Sequence, residues 1–276
     1  MAKRNVKVAV ISDVHLGTYG CRAKELNTYL KSINPEILVL NGDIIDIWQF
    51  SKRYWPESHM KIVQRIFKLL ANGTKVYYLT GNHDEMLRKF TDFKMGELEI
   101  LDKLVLNLDG KKAWIFHVYV FDSTMKNAKW LAKLGAIGYD TLIMINGVVN
   151  WFSEKVLRKG KVSLSKKVKN SVKSAMKFID DFEQTAIDIA IENGYDYVLC
   201  GHIHQPAMRE MSNGKAVYLN SGDWIENLTA LEYNEGAWSL YHHPETEPEE
   251  QADDEELNVK LPNMEVLYQT IIQMPA

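Results

Sequence analysis

The chain has 276 residues, 46% hydrophobic and 25% charged, with a formal net charge of -3. This is an ordinary globular balance, long enough for one large domain or two small ones, and not a surface built throughout to coat nucleic acid. Its two cysteines, Cys21 and Cys200, form no Cys-x-x-Cys pair, which excludes a thiolate zinc site, and no apolar run nears the roughly 20 residues that span a bilayer.

The basic opening Met1-Ala2-Lys3-Arg4 precedes an apolar run over 6–11 that is too short and interrupted for a signal peptide. It predicts a first strand, and the thiol usage predicts a cytoplasmic protein. An amphipathic helix follows over 23–33, then a strand over 37–40. A second helix over 60–70 ends at Asn72-Gly73 in a left-handed cap. Strands rich in Val, Ile, Leu and Tyr are expected over 75–79 and 112–116.

From 125 to about 193 the pattern is helical and carries no strand signal. An apolar stretch with Trp130, Leu131, Leu134, Ile137, Leu142, Trp151 and Phe152 comes first. A basic stretch with Arg158, Lys159, Lys161, Lys166, Lys167, Lys169, Lys173 and Lys177 follows. This reads as a helical cap inserted in an α/β core. The plain alternatives are a helix pair buried against itself and a solvated lysine face. Strands over 197–200, 216–219, 228–233 and 237–241 complete the core. Residues 244–256 are acidic and contain proline, as in a disordered linker, and 259–276 are partly apolar. The expected organisation is one domain over 1–243, with the cap at about 125–193, and a linker and tail over 244–276. Strand–helix alternation of this kind predicts α/β layers.

Several strands end in polar, mostly glycine-containing turns: Asp13-Val14-His15, Gly42-Asp43, Gly81-Asn82-His83-Asp84 and Gly201-His202-Ile203-His204, with His117 at the end of another. Ligands gather beyond the carboxyl ends of strands in open α/β sheets, so these turns are expected to converge. Together they supply Asp13, His15, Asp43, Asn82, His117, His202 and His204. Imidazole nitrogens with carboxylate and amide oxygens, and no sulfur, suit Mn²⁺, Fe or Zn²⁺. Seven donors exceed one ion and fit two, and a carboxylate can bridge metals about 3.5–4 Å apart, as in phosphoryl hydrolysis. Adjacent glycines allow close approach. A single histidine is more often a core residue than a ligand; it is the ordered set at strand ends that points to metal. His59, His242 and His243 fall outside the pattern and read as surface residues.

In this order the motifs resemble the calcineurin-like metallophosphoesterases, over roughly residues 6–240. The resemblance implies a four-layer α/β/β/α sandwich. It implies one metal on Asp13, His15, Asp43 and His204, and another on Asp43, Asn82, His117 and His202, with Asp43 bridging. Asn82 and His83 would be catalytic, His83 near the leaving-group oxygen as an acid or charge stabiliser.

Within that superfamily, Ser12-Asp13-Val14-His15-Leu16-Gly17, Gly42-Asp43-Ile44-Ile45-Asp46, Gly201-His202-Ile203-His204-Gln205-Pro206 and Asn220-Ser221-Gly222-Asp223-Trp224 are similar to UDP-2,3-diacylglucosamine pyrophosphatases of lipid A synthesis. Those enzymes release UMP and a lipid monophosphate and carry a helical cap for acyl chains. The resemblance implies two divalent ions, Mn²⁺ foremost, and a phosphorylated or lipid-linked nucleotide substrate touched by Asp84, Trp130, Leu134, Arg158 and Lys159. It also implies peripheral contact with the inner face of the membrane, at about 1 kcal/mol per basic residue near anionic lipid. Two departures stand out. The family's Gly-Asp after the histidine matching His117 is Val118-Tyr119 here, and His83 stands where the narrower family has Arg. The alternatives are a nucleotide or nucleic-acid phosphodiesterase of the same superfamily, and a catalytically weakened binding module.

Overall fold

Parallel strands buried on both faces need near-continuous β-branched and aliphatic runs. Strand β1 (Arg4–Ile11) has one, and so does the second half of β2 (Ile33–Asn41). In a computed structural model, which describes residues 3–47, 54–117, 166–210 and 216–244 (backbone alone for 166–178), β1 and β2 form the centre of a seven-stranded sheet. The remaining strands of that sheet are β3 (Lys75–Leu79), β4 (Lys94–Met95), β5 (Leu98–Leu101), β11 (Thr229–Asn234) and β12 (Ala237–His242). The order is β12-β11-β1-β2-β3-β5-β4. Strands β1, β2, β3 and β5 run parallel, and β11, β12 and β4 pair antiparallel.

A second sheet has the order β6-β7-β8-β10-β9. It contains β6 (Lys103–Leu108), β7 (Lys111–Phe116), β8 (Tyr197–Cys200), β9 (Ala207–Glu210) and β10 (Val217–Asn220). Strands β7, β8 and β10 are parallel; β6 and β9 are antiparallel to their neighbours.

The sheets face each other through Val8, Val10, Val39, Leu79 and Leu231 on one side and Leu104, Leu106, Ile115, Leu199 and Leu219 on the other. The outer face of the larger sheet is covered by α1 (Ala23–Ser32) and α2 (Glu57–Ala71). In α1, Ala23, Leu26, Tyr29 and Leu30 form the buried stripe. The outer face of the smaller sheet is covered by α3 (Lys166–Glu192), whose Phe182, Ala186 and Ala190 recur every fourth residue and meet Trp114, Phe116, Val198 and Tyr218. The layers are therefore α/β/β/α, as the resemblance implied.

Gly73 takes φ 89 beyond the end of α2, the left-handed cap expected at Asn72-Gly73. The expected strand windows all fall on strands, but β4, β5, β6 and β9 were not among them. Helix α3 lies in the segment read as helical. Residues 118–165 lie outside the described residues, and with them Val118, Tyr119, Trp130, Leu134, Arg158 and Lys159; so do those beyond 244. Among the described residues no helix is long and apolar enough to cross a membrane.

Candidate metal centre

The parallel strands of both sheets deliver polar turns at their carboxyl ends. Asp13 and His15 follow β1, Asp43 follows β2, Asn82 and His83 follow β3, His117 follows β7, and His202 and His204 follow β8. The two sheets are tied together there. His202 N–H donates to both carboxylate oxygens of Asp13, at 3.2 and 3.1 Å, and His117 Nδ1 lies 2.8 Å from the Asn41 carbonyl.

Six of the donors fall into two groups, each with its atoms within 4.8 Å of one another: Asp13, His15 and His204, and Asp43, His117 and His202; His15 also forms a third such group with Asp46 and His83. Asn82 is a neighbour of the second. Gly81 and His83, on either side of it, both lie against the Asp43 carboxylate, and His83 N–H donates to Asp43 Oδ1 at 2.8 Å. The structure thus brings all seven expected ligand residues to one edge of the sandwich.

Five of the seven hold φ between 52 and 71: Asp13, His15, Asp43, His202 and His204. Non-glycine residues adopt this left-handed conformation at a cost of order 1–3 kcal/mol each, and it persists where surrounding contacts over-determine it. Backbone bonds do so here: Asp13 N–H donates to the Gly42 carbonyl, and Val14 and His15 N–H to that of Asp43.

The fit to metal rests on how the atoms face one another. A carbonyl can only accept, so the Asn41 contact puts the proton of neutral His117 on Nδ1 and leaves a lone pair on Nε2. That Nε2 is buried, makes no aligned hydrogen bond, and lies 3.1 Å from Asp43 Oδ2. At that distance the two atoms share either a proton on Nε2 or a cation in its place. Asn82 Oδ1 is likewise buried without a hydrogen-bond partner. His204 directs Nε2 to Asp13 Oδ1 at 3.3 Å, with Nδ1 3.5 Å from Asp223 Oδ2. With nitrogen and oxygen donors and no sulfur, the set fits divalent ions.

Without an ion, protons balance these carboxylates. Burial pushes His202 down to about 3, with the charge of His117 adding to it, so it is the neutral imidazole that a metal requires. For His117 and His204 burial acts downward but is outweighed by neighbouring carboxylates, chiefly Asp43 and Asp13 respectively, which raise them to about 10 and about 9. Burial acts upward on Asp43, yet the adjacent histidines, led by His117, hold its carboxyl well below the usual range. A cation drawing on the same carboxylates competes with those protons.

His83 lies at the rim, its side chain 15% exposed, with Nδ1 3.1 Å from Asp46 Oδ2. Burial lowers its pKa, but Asp46 and Asp43 raise it on balance. Asp46 also lies 3.7 Å from His15 Nδ1. Neither Asp46 nor Asp223 was among the expected site residues. Asp223 follows β10 in a polar, glycine-containing turn, the signal that marked the other strand ends. Its Oδ1 accepts from the N–H groups of Ile225, Glu226 and Asn227.

Two expectations are corrected. Asp84 is fully buried, its carboxylate taken by Gly81 N–H, Ile44 N–H and the Tyr78 hydroxyl, so it braces the loop from within rather than meeting substrate. His59 is a buried residue of α2, not a surface one, whereas His242 is exposed and His243 half-buried.

Residues 6–206 match the calcineurin-like phosphoesterase family, and the chain belongs to that family. It is accordingly a metal-dependent phosphoesterase, with divalent ions implied at the donor groups above. Among named relatives, the UDP-2,3-diacylglucosamine hydrolase of Aliivibrio fischeri is 25% identical over 245 residues, 85% of this chain and 97% of the relative. That of Stenotrophomonas maltophilia is 22% identical, over 83% and 96%. An archaeal phosphodiesterase of known structure aligns over 85% of this chain and 98% of its own, at 14% identity and TM-score 0.42.

Proposed function

We propose that the chain is a UDP-2,3-diacylglucosamine diphosphatase-like enzyme. It would cut the diphosphate of a UDP-linked diacyl sugar in lipid A synthesis, leaving UMP and a lipid monophosphate. The observation that carries this substrate is the extent of the match to the hydrolases of that name, up to 97% of their length. Shared ligand turns alone would support only the superfamily.

In this reading Asp13, His15, Asp43 and His204 hold one ion and Asp43, Asn82, His117 and His202 the other, with Mn²⁺ the metal. Two such ions would lower the pKa of water from 15.7 to about 7 and neutralise charge on the phosphoryl oxygens. The protein's own part is positioning. Its donors are fixed by buried hydrogen bonds before substrate arrives, so little reorganisation accompanies reaction. His83, its Nδ1 held by Asp46 and its protonated form favoured, gives a proton to the leaving-group oxygen. The acyl chains are assigned to the apolar stretch around Trp130 and Leu134, at about 0.8 kcal/mol per buried CH₂. Arg158 and Lys159 are assigned to anionic groups beside it. The enzyme would work in the cytoplasm, against the inner face of the membrane.

The test is hydrolysis of UDP-2,3-diacylglucosamine with Mn²⁺, beside bis-p-nitrophenyl phosphate and a metal-free control. Metal-dependent UMP release far faster than diester cleavage is expected. Cleavage of the diester alone would remove the lipid substrate and favour a nucleotide phosphodiesterase. Equal rates without metal would remove the proposed chemistry.

A further inference from the structure

His59 belongs to none of the donor groups, yet it is 1% exposed and its Nδ1 accepts the backbone N–H of Gly17 at 3.0 Å. Gly17 closes the turn that begins at Asp13, in which Asp13, His15 and Gly17 take φ of 52, 53 and 104. The earlier part of this turn is held by the loop after β2, through Asp13, Val14, His15 and Leu16 N–H. Its far end is held from another layer, by His59 on α2. The His59 ring is itself clamped: the rings of Tyr54 and Trp55 meet it edge-on, at 5.7 and 5.6 Å. Burial lowers its pKa to about 4, so near neutral pH the ring is in the form that can accept.

We infer that His59 is a positioning residue for the metal centre: by accepting the Gly17 N–H it holds the turn 13–17 in the left-handed form that presents Asp13 and His15 to one ion. The inference rests on reading the site as a metal centre. Three variants of the full chain separate it from a merely structural role. In His59→Asn the side-chain oxygen sits close to where Nδ1 was. In His59→Gln the amide is one carbon further out. His59→Leu fills the volume and cannot accept.

Mn²⁺ titration of the metal-stripped proteins by calorimetry reads the effect without turnover; kcat and KM on bis-p-nitrophenyl phosphate and a thermal melt accompany it. The Leu and Gln variants are expected to bind one of two ions about 10–100-fold more weakly, the range seen when a ligand's support is removed. Their kcat should fall more than KM rises, with partial recovery in excess Mn²⁺, and Asn should stay close to wild type. Wild-type Mn²⁺ affinity in Leu and Gln, or Asn as weak as Leu, overturns the inference. If Leu does not fold, the Asn–Gln pair decides, since both keep a polar amide. A wild type that binds Mn²⁺ but cleaves no diester would count against the proposed activity, while the Mn²⁺ affinities would still decide the role of His59. A wild type that binds no Mn²⁺ overturns both.

Discussion

The ring of His117 passes between two glycines. A Cβ on Gly201 would stand 2.5 Å from His117 Nδ1, and one on Gly42 would stand 2.3 Å from its Cγ. Gly42 also takes φ 75, but Gly201 does not lie in the left-handed region, so alanine there crowds His117, and the Asn41 carbonyl at 3.1 Å, without backbone strain. Gly201→Ala is expected to displace His117 and lower metal affinity or activity by about 10–100-fold. Gly20→Ala, whose Cβ meets Ile225 at 3.4 Å and nothing nearer among the described residues, is the control and should change neither. Asp223 gives a pH prediction. Burial acts upward on it, but the hydrogen bond and charge of His204 bring it down to about 2 from 3.8. A depressed carboxylate stabilises the fold above its unfolded pKa and loses that contribution as pH falls through the folded one. Denaturant melts of metal-free wild type and Asp223→Asn should therefore differ by on the order of 2 kcal/mol near pH 5 and converge towards pH 2. Equal differences at both pH values would count against the pairing. The seven donors were legible because each follows a strand. Asp46 and His59 were not, since one carboxylate in a turn and one histidine on a helix have no spacing that marks them. Asp223 stood at a strand end and could have been found.

Helix α3 owes its place to one stripe. Phe182 is 1% exposed and Ala186 and Ala190 are fully buried, so a bulky side chain and two small ones let the helix lie close to the smaller sheet. Phe182→Ala should cost about 3–5 kcal/mol, read as a shift of the urea midpoint at constant slope. Turnover per folded molecule should hold, because Phe182 packs in the apolar cluster on the outer face of the smaller sheet. A loss of turnover in fully folded protein would mean that α3 reaches the centre. Of the strands not anticipated, β6 carries both signals: Leu104, Leu106 and Leu108 alternate inward, and Asp109-Gly110, at φ 54 and 87, makes the tight turn into β7. Strands β4, β5 and β9 lack the alternation, although Gly96-Glu97, with Gly96 at φ 59, makes a tight turn between β4 and β5. They are two to four residues long, β4 and most of β9 are exposed, and pairing across the sheet rather than local preference makes them strands.

Asp13, Asp43, Asp46, Asp84 and Asp223 are all no more than 2% exposed. Buried carboxylates are costly unless paired, and here histidines and backbone N–H groups offset only part of that charge. Divalent ions should thus stabilise the whole fold. At 100 times Kd each site adds about 2.7 kcal/mol, which for a domain this large is roughly 5–11 °C in Tm. Melts in Mn²⁺ and after EDTA should show that rise, and Asp43→Ala, which removes the carboxylate proposed to bridge the ions, should lose most of it. An unchanged Tm on adding Mn²⁺ would argue against both ions. Alternating strand and helix signals predicted α/β layers, the four-layer order came from the resemblance, and the meeting of the turns at one edge followed from strand polarity. The pairing order was not readable, because β1 joins β11 and β7 joins β8 across stretches of chain with no local pattern to announce it.

The bond between Asp13 and His202 joins residues 189 apart in the chain. Asp13, His15, Asp43, Asn82 and His117 are made first, and His202 follows about 85 residues after His117. At 5–20 residues per second that gap lasts about 4–17 s on the ribosome. Through that interval β7 has no β8 beside it, and each half of the donor set is incomplete. The complete donor set thus exists only once His204 has been made, and a pause in elongation between β7 and β8 delays its completion by the same interval.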